Sequence, residues 1–332
     1  MRYPWRGGAA RAAYRFITST RPPFEPTHYV WSRGLALLCD HNGGVDFVRN
    51  QMGGHPALPL DPAAYAGIDD GDLVWVRHIA LPQFVRDVLP SITKRFALVT
   101  GDEDWAIPSD FGEAHELLAK DELVCWFTQN YDGSDAGGKI TGIPIGLDFH
   151  TISNRRKWGH WPASPAEQEA ELMELAKRMP RTADRQLRVH ADFHFTKQEP
   201  SGEAETRHDV QSLLERNPLV DFQGTKVSRI DLWITKTQYA FVVSPHGNGL
   251  DCHRTWESLV LGNIVIVKRS SLDDLYDQLP VVIVDDWNEI TENNLQQWAA
   301  RHADAIQRPE VQERLTNRYW IDHMRRKLAA GM

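Results

Sequence analysis

The feature that most constrains the fold of this 332-residue chain is a regular alternation of strand-length apolar runs with helical patterns. The predicted strands of the first half are 72–77, 96–101, 124–130 and 140–147. Those of the second half are 187–193, 219–224, 239–245, 264–269 and 281–286. Strands that are apolar on both faces lie in sheets covered by helices, and repeated β-α-β units give parallel sheets with right-handed crossovers.

A break in this alternation divides the chain. Residues 151–185 begin with a stretch rich in Trp, Pro and basic residues, which predicts a linker. The fold predicted is therefore α/β, with two Rossmann-like parallel-sheet domains that face a cleft, and the chain length favours two domains. The predicted divisions are an N-terminal Rossmann-like domain at 26–150, a ligand-binding domain at 186–308, and a C-terminal helix at 309–332 that packs back across the cleft.

Charge and cysteine content exclude several classes of protein. The formal charge of -8 argues against a nucleic-acid partner, because such proteins present a basic face. The three cysteines are far apart and odd in number, so they predict neither a disulfide framework nor a zinc site, and they favour a reducing, cytoplasmic location. No stretch approaches the roughly 20 consecutive apolar residues of a membrane span.

The N-terminal arm, residues 1–25, has five arginines and no acidic residue before Glu25. It lacks the continuous apolar core of a signal peptide. Two interpretations stay open: a disordered or strapped arm, and a peripheral contact with an anionic membrane through its Arg and aromatic side chains.

The segment with the strongest functional signal follows the predicted strand 239–245. Ligands of open parallel sheets bind beyond the carboxyl ends of the strands, and a His-Gly-Asn-Gly turn stands at that position, ahead of a helix that starts near Asp251. Gly247 and Gly249 allow backbone N–H groups to approach a ligand, and the helix N-terminus adds positive potential. Arg254, one turn into the helix, carries a forked donor suited to phosphate oxygens.

Other polar residues of the same turn and helix are His246, Asn248, His253 and Glu257. Glu257 lies three residues beyond Arg254, on the same helix face, where a carboxylate suits the paired hydroxyls of a ribose. A purely structural alternative is open for each of them. In that alternative Asp251 caps the helix, the glycines make a tight turn, and Arg254 with Glu257 forms a surface ion pair.

A resemblance to a known family rests on this segment. The residues that carry it are Pro245, Gly247, Gly249, Asp251, Arg254, Glu257 and Gly262, followed by Leu279, Pro280 and Trp287. Their spacing resembles the donor half of exostosin-like glycosyltransferases of the GT-B fold, over about residues 187 to 300. The chain departs from a pattern common in GT-B donor sites, because Val265 stands where a second acidic residue would follow Glu257.

The resemblance implies a transferase that moves a sugar from a nucleotide-sugar donor, held by the C-terminal half, to a glycan or other hydroxyl acceptor in the N-terminal half. It also implies that positive side chains and helix dipoles, without a metal or other cofactor, stabilise the leaving diphosphate. Carried over by position, the glycine turn and Arg254 hold the diphosphate and Glu257 the ribose. The implied donor-binding residues are His246, Gly247, Asn248, Gly249, Asp251, His253, Arg254, Glu257, Lys197 and Arg229, with Lys226 and Lys268 as further candidates.

An inverting transfer also needs a base for the acceptor hydroxyl. Asp102 and Asp104 follow the predicted strand 96–101, and Asp148 and His150 follow the strand 140–147. All four are candidate bases because they fall at predicted carboxyl edges. A retaining mechanism would not require this base, and the sequence does not choose between the two.

Three other interpretations of the function stay open. Asp102 and Asp104 form an Asp-x-Asp motif, which binds a divalent metal in GT-A glycosyltransferases. His190, Asp192 and His194 alternate along a strand, so they share one face and could bind zinc or iron in a hydrolase or oxygenase. The third reading is a carbohydrate- or nucleotide-binding module without turnover.

Overall fold

The structure is a computed structural model. It describes residues 26–49, 59–134, 137–153, 155–193, 206–302 and 304–332. The basic arm at 1–25, His194 and Lys197 lie outside the described residues, so the predictions made for them stay predictions.

The N-terminal half is built on a four-stranded sheet. Its strands are β1 (Asp72–Arg77), β2 (Phe96–Gly101), β3 (Leu123–Thr128) and β4 (Ile140–Gly142), in the order β1-β2-β3-β4 and all parallel. The helices around it are α1 (Ser32–Leu38), α2 (Val45–Arg49), α3 (Leu81–Asp87) and α4 (Ala114–Leu118). Every residue of β2 is buried, as expected for a strand covered on both faces.

Helix α5 (Pro165–Ala176) lies in the predicted linker. It begins with a capping box, in which Ser164 Oγ accepts from Glu167 N and the Glu167 carboxylate accepts from Ser164 N, and proline occupies the first helical turn. Glu169 of this helix accepts hydrogen bonds from the backbone of His28 and Tyr29. The helix is thereby attached to the start of the N-terminal half.

The C-terminal half contains a five-stranded parallel sheet. Its strands are β5 (Gln186–Ala191), β6 (Val220–Phe222), β7 (Tyr239–Val243), β8 (Ile264–Lys268) and β9 (Val281–Val284), in the order β6-β5-β7-β8-β9. Its helices are α6 (Arg207–Leu214), α7 (Arg229–Lys236), α8 (His253–Val260) and α9 (Glu292–His302). The chain runs outward from β5 to β6 and then from β7 to β9, so the sheet has a topological switch point between β5 and β7.

The last two helices return to the N-terminal half. They are α10 (Pro309–Arg314) and α11 (Asn317–Gly331). Asn317 Nδ2 donates to the carbonyl oxygens of Thr27 and Tyr29, and helix α11 contacts β3 and α1. Met324 and Leu328 of α11 are buried in the same apolar core as the N-terminal sheet.

The predicted α/β fold with two parallel sheets is confirmed. Strand β4 is shorter than predicted, because Pro144 cannot donate to a ladder and Gly146 has a φ of 67°. Residues 143–147 instead leave the sheet at its carboxyl end and carry Asp148 towards the C-terminal half. No helix in the described part of the chain is long and apolar enough to cross a membrane.

Candidate active site between the two sheets

The switch point of the C-terminal sheet collects the segments that follow β5 and β7. Asp192 comes directly after β5, and residues 244–252 lead from β7 to helix α8. Such a switch point is where open α/β sheets bind their ligands. The predicted ligand-binding turn therefore lies at the edge of the sheet where a crevice is expected.

A cluster of positive side chains surrounds Asp192 at this point. Lys236 Nζ lies 2.9 Å from Asp192 Oδ2, and Arg254 Nε donates to Asp192 Oδ1 at 2.6 Å. Burial alone would raise the pKa of Asp192, but Lys236 and Arg254 hold it well below its usual range. Arg254 Nη1 is buried and has no hydrogen-bond partner among the described residues.

Arg207, at the start of α6, extends this cluster. Its Nε donates to the carbonyl oxygen of His246 at 2.7 Å, and its Nη2 lies 3.5 Å from Cys252 Sγ. Lys236 and Arg254 therefore both contact the carboxylate of Asp192, and Arg207 adds a third cation that acts on that carboxylate through space. We refer to Asp192, Arg207, Lys236 and Arg254 as the cation cluster.

Both glycines of the turn pack closely against the ends of side chains. A Cβ on Gly247 would lie 2.8 Å from Arg207 Nη2, and one on Gly249 would lie 2.7 Å from Asn130 Nδ2. Gly247 N donates to the carbonyl oxygen of Gly249, and Asp251 N donates to Asn130 Oδ1. Two amides of the predicted ligand-binding turn, those of Gly247 and Asp251, are therefore bonded to groups of the protein itself.

Asp251 joins the turn to the N-terminal half. Its carboxylate accepts from Ile145 N, Cys252 N and Trp256 Nε1 at 2.8–3.0 Å, and it is buried. Burial raises the pKa of Asp251 to about 6, although the bonds from Ile145, Trp256 and Cys252 act in the opposite direction. These donors come from both halves of the protein, so Asp251 acts as a tether between them.

Replacing Asp251 by asparagine is expected to destabilise the protein, because an amide NH2 group would then face N–H donors. The expected loss is about 1–3 kcal/mol of unfolding free energy, the typical cost of leaving a buried polar group unpaired. Urea unfolding measures it, and Asp121→Asn, at an exposed turn position ahead of β3, is the matched control. An Asp251→Asn protein as stable as the wild type would contradict the tether role.

A second cluster lies where the two halves meet, at the first residue of α8. Asp148 Oδ1 accepts from Thr151 N and lies 3.3 Å from His150 Nδ1, and His253 Nδ1 donates to the carbonyl oxygen of Gly146 at 2.7 Å. The metal-binding atoms of Asp148, His150 and His253 lie within 4.8 Å of one another. We call these three residues the triad; it unites two predicted base candidates with a residue predicted for the donor.

The electrostatics of the triad favour an ionised aspartate beside a neutral histidine. Burial alone would raise the pKa of Asp148, but His150, His253 and the bonds from Thr151 bring it well below its usual range. Burial lowers the pKa of His150 below that of a free histidine, against the effect of Asp148. At neutral pH His150 therefore has a lone pair available.

The other two predicted base candidates have different surroundings. Asp102 has a φ of 77° and is buried between Arg33 and Arg77, whose nitrogens lie 3.2 and 3.1 Å from Asp102 Oδ2. Burial alone would raise the pKa of Asp102, but these arginines lower it. Asp104 is exposed and accepts from Asn248 Nδ2 at 3.2 Å.

Arg229 contacts the triad directly, and Glu257 is connected to Arg229 through Trp233. Arg229 Nη1 donates to the carbonyl oxygen of Asp148 and to Gln168 Oε1, and its guanidinium lies 4.5 Å from the ring centroid of Trp233. Trp233 Nε1 in turn donates to Glu257 Oε2 at 3.2 Å. Of the further cations, Lys226 is exposed and Lys268 lies 5.9 Å from the ring centroid of Trp287.

Of the alternating His-x-Asp-x-His pattern, the structure describes His190 and Asp192, which have different partners. His190 Nε2 lies 3.4 Å from Gln223 Oε1, whereas Asp192 pairs with the cations described above. Within the described ranges these two residues join no group of three metal-binding side chains.

A cavity of about 400 Å³ lies away from both clusters. Met173, Met179, Val260 and Ile306 form its apolar wall, and Arg185 lines it from the residue before β5. It therefore lies near the amino end of β5, whereas the predicted chemistry is at the carboxyl end.

Arg207 and Lys236 were missed by sequence reasoning. Neither belongs to a motif, and Arg207 is the first residue of an ordinary amphipathic helix. Lys236 is in the last turn of α7, where a lysine is normally exposed. The sequence offered no signal for Lys236, because a helix end that precedes a strand is expected at the amino edge of the sheet, whereas ligands bind at the carboxyl edge.

The chain matches no family model and no curated protein. Solved structures similar to it include a UDP-forming α,α-trehalose-phosphate synthase from Burkholderia xenovorans in complex with glucose-6-phosphate. That structure is 14% identical over 79% of this chain and 73% of its own, with a TM-score of 0.38.

Two further similar structures have comparable scores. One, described as trehalose-6-phosphate from E. coli bound with UDP-2-fluoro glucose, is 11% identical over 78% of this chain and 74% of its own, with a TM-score of 0.39. The other, the glycosyltransferase AviGT4 involved in avilamycin A biosynthesis, is 15% identical over 74% of this chain and 88% of its own, with a TM-score of 0.29. Similarities at this level carry no argument about activity, and none of the three is described as exostosin-like.

Proposed function

We propose that the protein is a glycosyltransferase that moves a sugar from a nucleotide-sugar donor to a hydroxyl acceptor. The observation that carries the proposal is the cation cluster at the switch point of the C-terminal sheet. In this cluster Lys236 and Arg254 both pair with the single carboxylate of Asp192, and a site of this kind at the carboxyl edge of a parallel sheet suits an anionic nucleotide.

The leaving group of such a donor is a nucleoside diphosphate, whose negative charge grows as the bond to the sugar breaks. Arg254 is oriented through Nε by Asp192, while its Nη1 has no partner among the described residues. Fixed guanidinium donors of this kind stabilise developing charge without reorganising. Because Arg207 and Lys236 add to the same potential, we propose that the transfer needs no metal.

Asp148 and His150 supply the base in this proposal. Asp148 Oδ1 lies 3.3 Å from His150 Nδ1, so the aspartate accepts the Nδ1 proton and leaves a lone pair on Nε2. The acceptor oxygen attacks the anomeric carbon, the bond from that carbon to the diphosphate breaks, and the acceptor proton passes to His150 Nε2. Attack on the face opposite the leaving group inverts the anomeric centre.

A thermal-shift screen against nucleoside diphosphates and nucleotide sugars tests the proposal. A ligand at 100 times its dissociation constant is expected to stabilise the protein by about 2.7 kcal/mol, which is readily seen in a melting curve. Release of nucleoside diphosphate from the best nucleotide sugar then separates a transferase from a binding module. A protein stabilised by none of these compounds would refute the proposal.

A further inference from the structure

The triad has the composition of a transition-metal site. Imidazole nitrogens and a carboxylate oxygen are ligands that zinc accepts, and three protein ligands with an open fourth position are typical of its reactive sites. Ligands at about 2.0–2.1 Å from a tetrahedral zinc ion lie about 3.3 Å apart. Asp148 Oδ1 and His150 Nδ1 are separated by 3.3 Å, and the ligand atoms of all three residues lie within 4.8 Å of one another.

His253 is oriented as a metal ligand would be. Because its Nδ1 donates to the carbonyl oxygen of Gly146, the lone pair remains on Nε2. Histidines that bind metals almost always donate their second nitrogen to a carbonyl or carboxylate in this way. The contact fixes both the tautomer and the direction of the ring.

The carbonyl of Gly146 is itself held in place by the fold. Gly146 has a φ of 67°, and a Cβ at this position would lie 2.1 Å from the carbonyl oxygen of Val30. Trp31 pairs with Gly146 in an isolated bridge, and Leu147 N donates to Val30 O. The acceptor that orients His253 is therefore a rigid part of the N-terminal half.

We propose that Asp148, His150 and His253 bind one divalent transition-metal ion and that this ion bridges the two halves of the protein. Asp148 and His150 come from the segment after β4, whereas His253 opens helix α8 of the C-terminal half. The bound ion occupies the atoms that the proposed base uses, so metal binding and base catalysis are alternative states of one site. Metal binding itself does not rest on the proposed transferase activity.

Zinc binding to the full-length protein, freed of metal with a chelator, tests the inference. Isothermal titration with Zn²⁺ is expected to give one ion per chain, and Co²⁺ is expected to give the visible absorption bands of a four- or five-coordinate site with nitrogen ligands. His253→Asn removes one of three ligands and is expected to weaken Zn²⁺ binding by at least about 100-fold. His115→Asn, on the exposed face of α4, is the matched control and is expected to bind as the wild type does.

The outcomes separate the possibilities. Failure of the wild type to bind Zn²⁺, or unchanged stoichiometry and affinity in a folded His253→Asn protein, would overturn the inference. If His253→Asn does not fold, Asp148→Asn removes a different ligand with little change of shape and is subject to the same comparison. Nucleoside diphosphate binding in the same preparations reports on the cation cluster, so loss of one proposal does not imply loss of the other.

Discussion

Replacement of Arg254 by alanine is expected to weaken nucleoside diphosphate binding by at least about 100-fold while the protein remains folded. A charge-assisted hydrogen bond contributes about 1.5–3 kcal/mol, and a forked guanidinium offers two of them to a diphosphate. Removing a partner from a buried ion pair normally destabilises a protein severely, because it leaves a lone charge. Here Asp192 keeps Lys236 at 2.9 Å, so its carboxylate stays neutralised.

Isothermal titration with the diphosphate that gives the largest thermal shift measures the effect. Arg254→Lys keeps the charge without the fork and is expected to fall between the wild type and Arg254→Ala. Arg86→Ala, which removes an exposed arginine of α3, is the control and is expected to bind normally. Wild-type affinity in a folded Arg254→Ala protein would show that the cation cluster does not hold the diphosphate.

The sequence predicted Arg254 and His253 as neighbours in one donor site. In the structure Arg254 belongs to the cation cluster and His253 to the triad. Consecutive residues of an α-helix point about 100° apart, so adjacent side chains at the start of α8 diverge. Arg254 reaches Asp192 in its own half, and His253 reaches Gly146 in the other half. A motif read along the chain cannot show which side of the helix faces each sheet.

The strands themselves were predictable, because continuous apolar runs bounded by turn residues have few alternatives in an α/β chain. The cation cluster was not, since Arg207 and Lys236 are separated from Asp192 by crossover connections and meet it only through the order β6-β5-β7. The burial of Lys236 is the clearest case. A lysine at a helix end is normally exposed, whereas Lys236 is buried against the carboxylate of Asp192 and the hydroxyl of Ser258.

Asp102 shows a different limit of prediction. Its place after β2 at a carboxyl edge was read correctly, yet that place also brings Arg33 and Arg77 to the same carboxylate. The position of a residue after a strand predicts where its side chain lies, but it does not predict which neighbouring side chains neutralise its charge. Asp148 instead lies 3.3 Å from the imidazole nitrogen Nδ1 of His150, and this contrast is the reason that the proposed base is the pair of Asp148 and His150.

Replacement of His150 by alanine is expected to lower the rate of donor turnover by about 10²- to 10⁴-fold, the usual contribution of a general base, while nucleoside diphosphate affinity is unchanged. The base acts only when unprotonated, and burial lowers the pKa of His150 below that of a free histidine. Wild-type turnover should therefore persist at neutral pH and fall as pH decreases through that lowered pKa.

The matched variant Asp148→Asn separates positioning from proton transfer. It removes the negative charge that raises the pKa of His150, so the acidic limb of the pH profile should move to lower pH, and turnover should fall because an amide does not hold the required tautomer. Turnover is measured as release of nucleoside diphosphate across pH in metal-free buffer, so that no ion competes for the triad. A profile that keeps the wild-type acidic limb in Asp148→Asn, or His150→Ala turnover equal to the wild type, would mean that the proton leaves by another route, and Asp104, the exposed carboxylate beside Asn248, would be the next residue to replace.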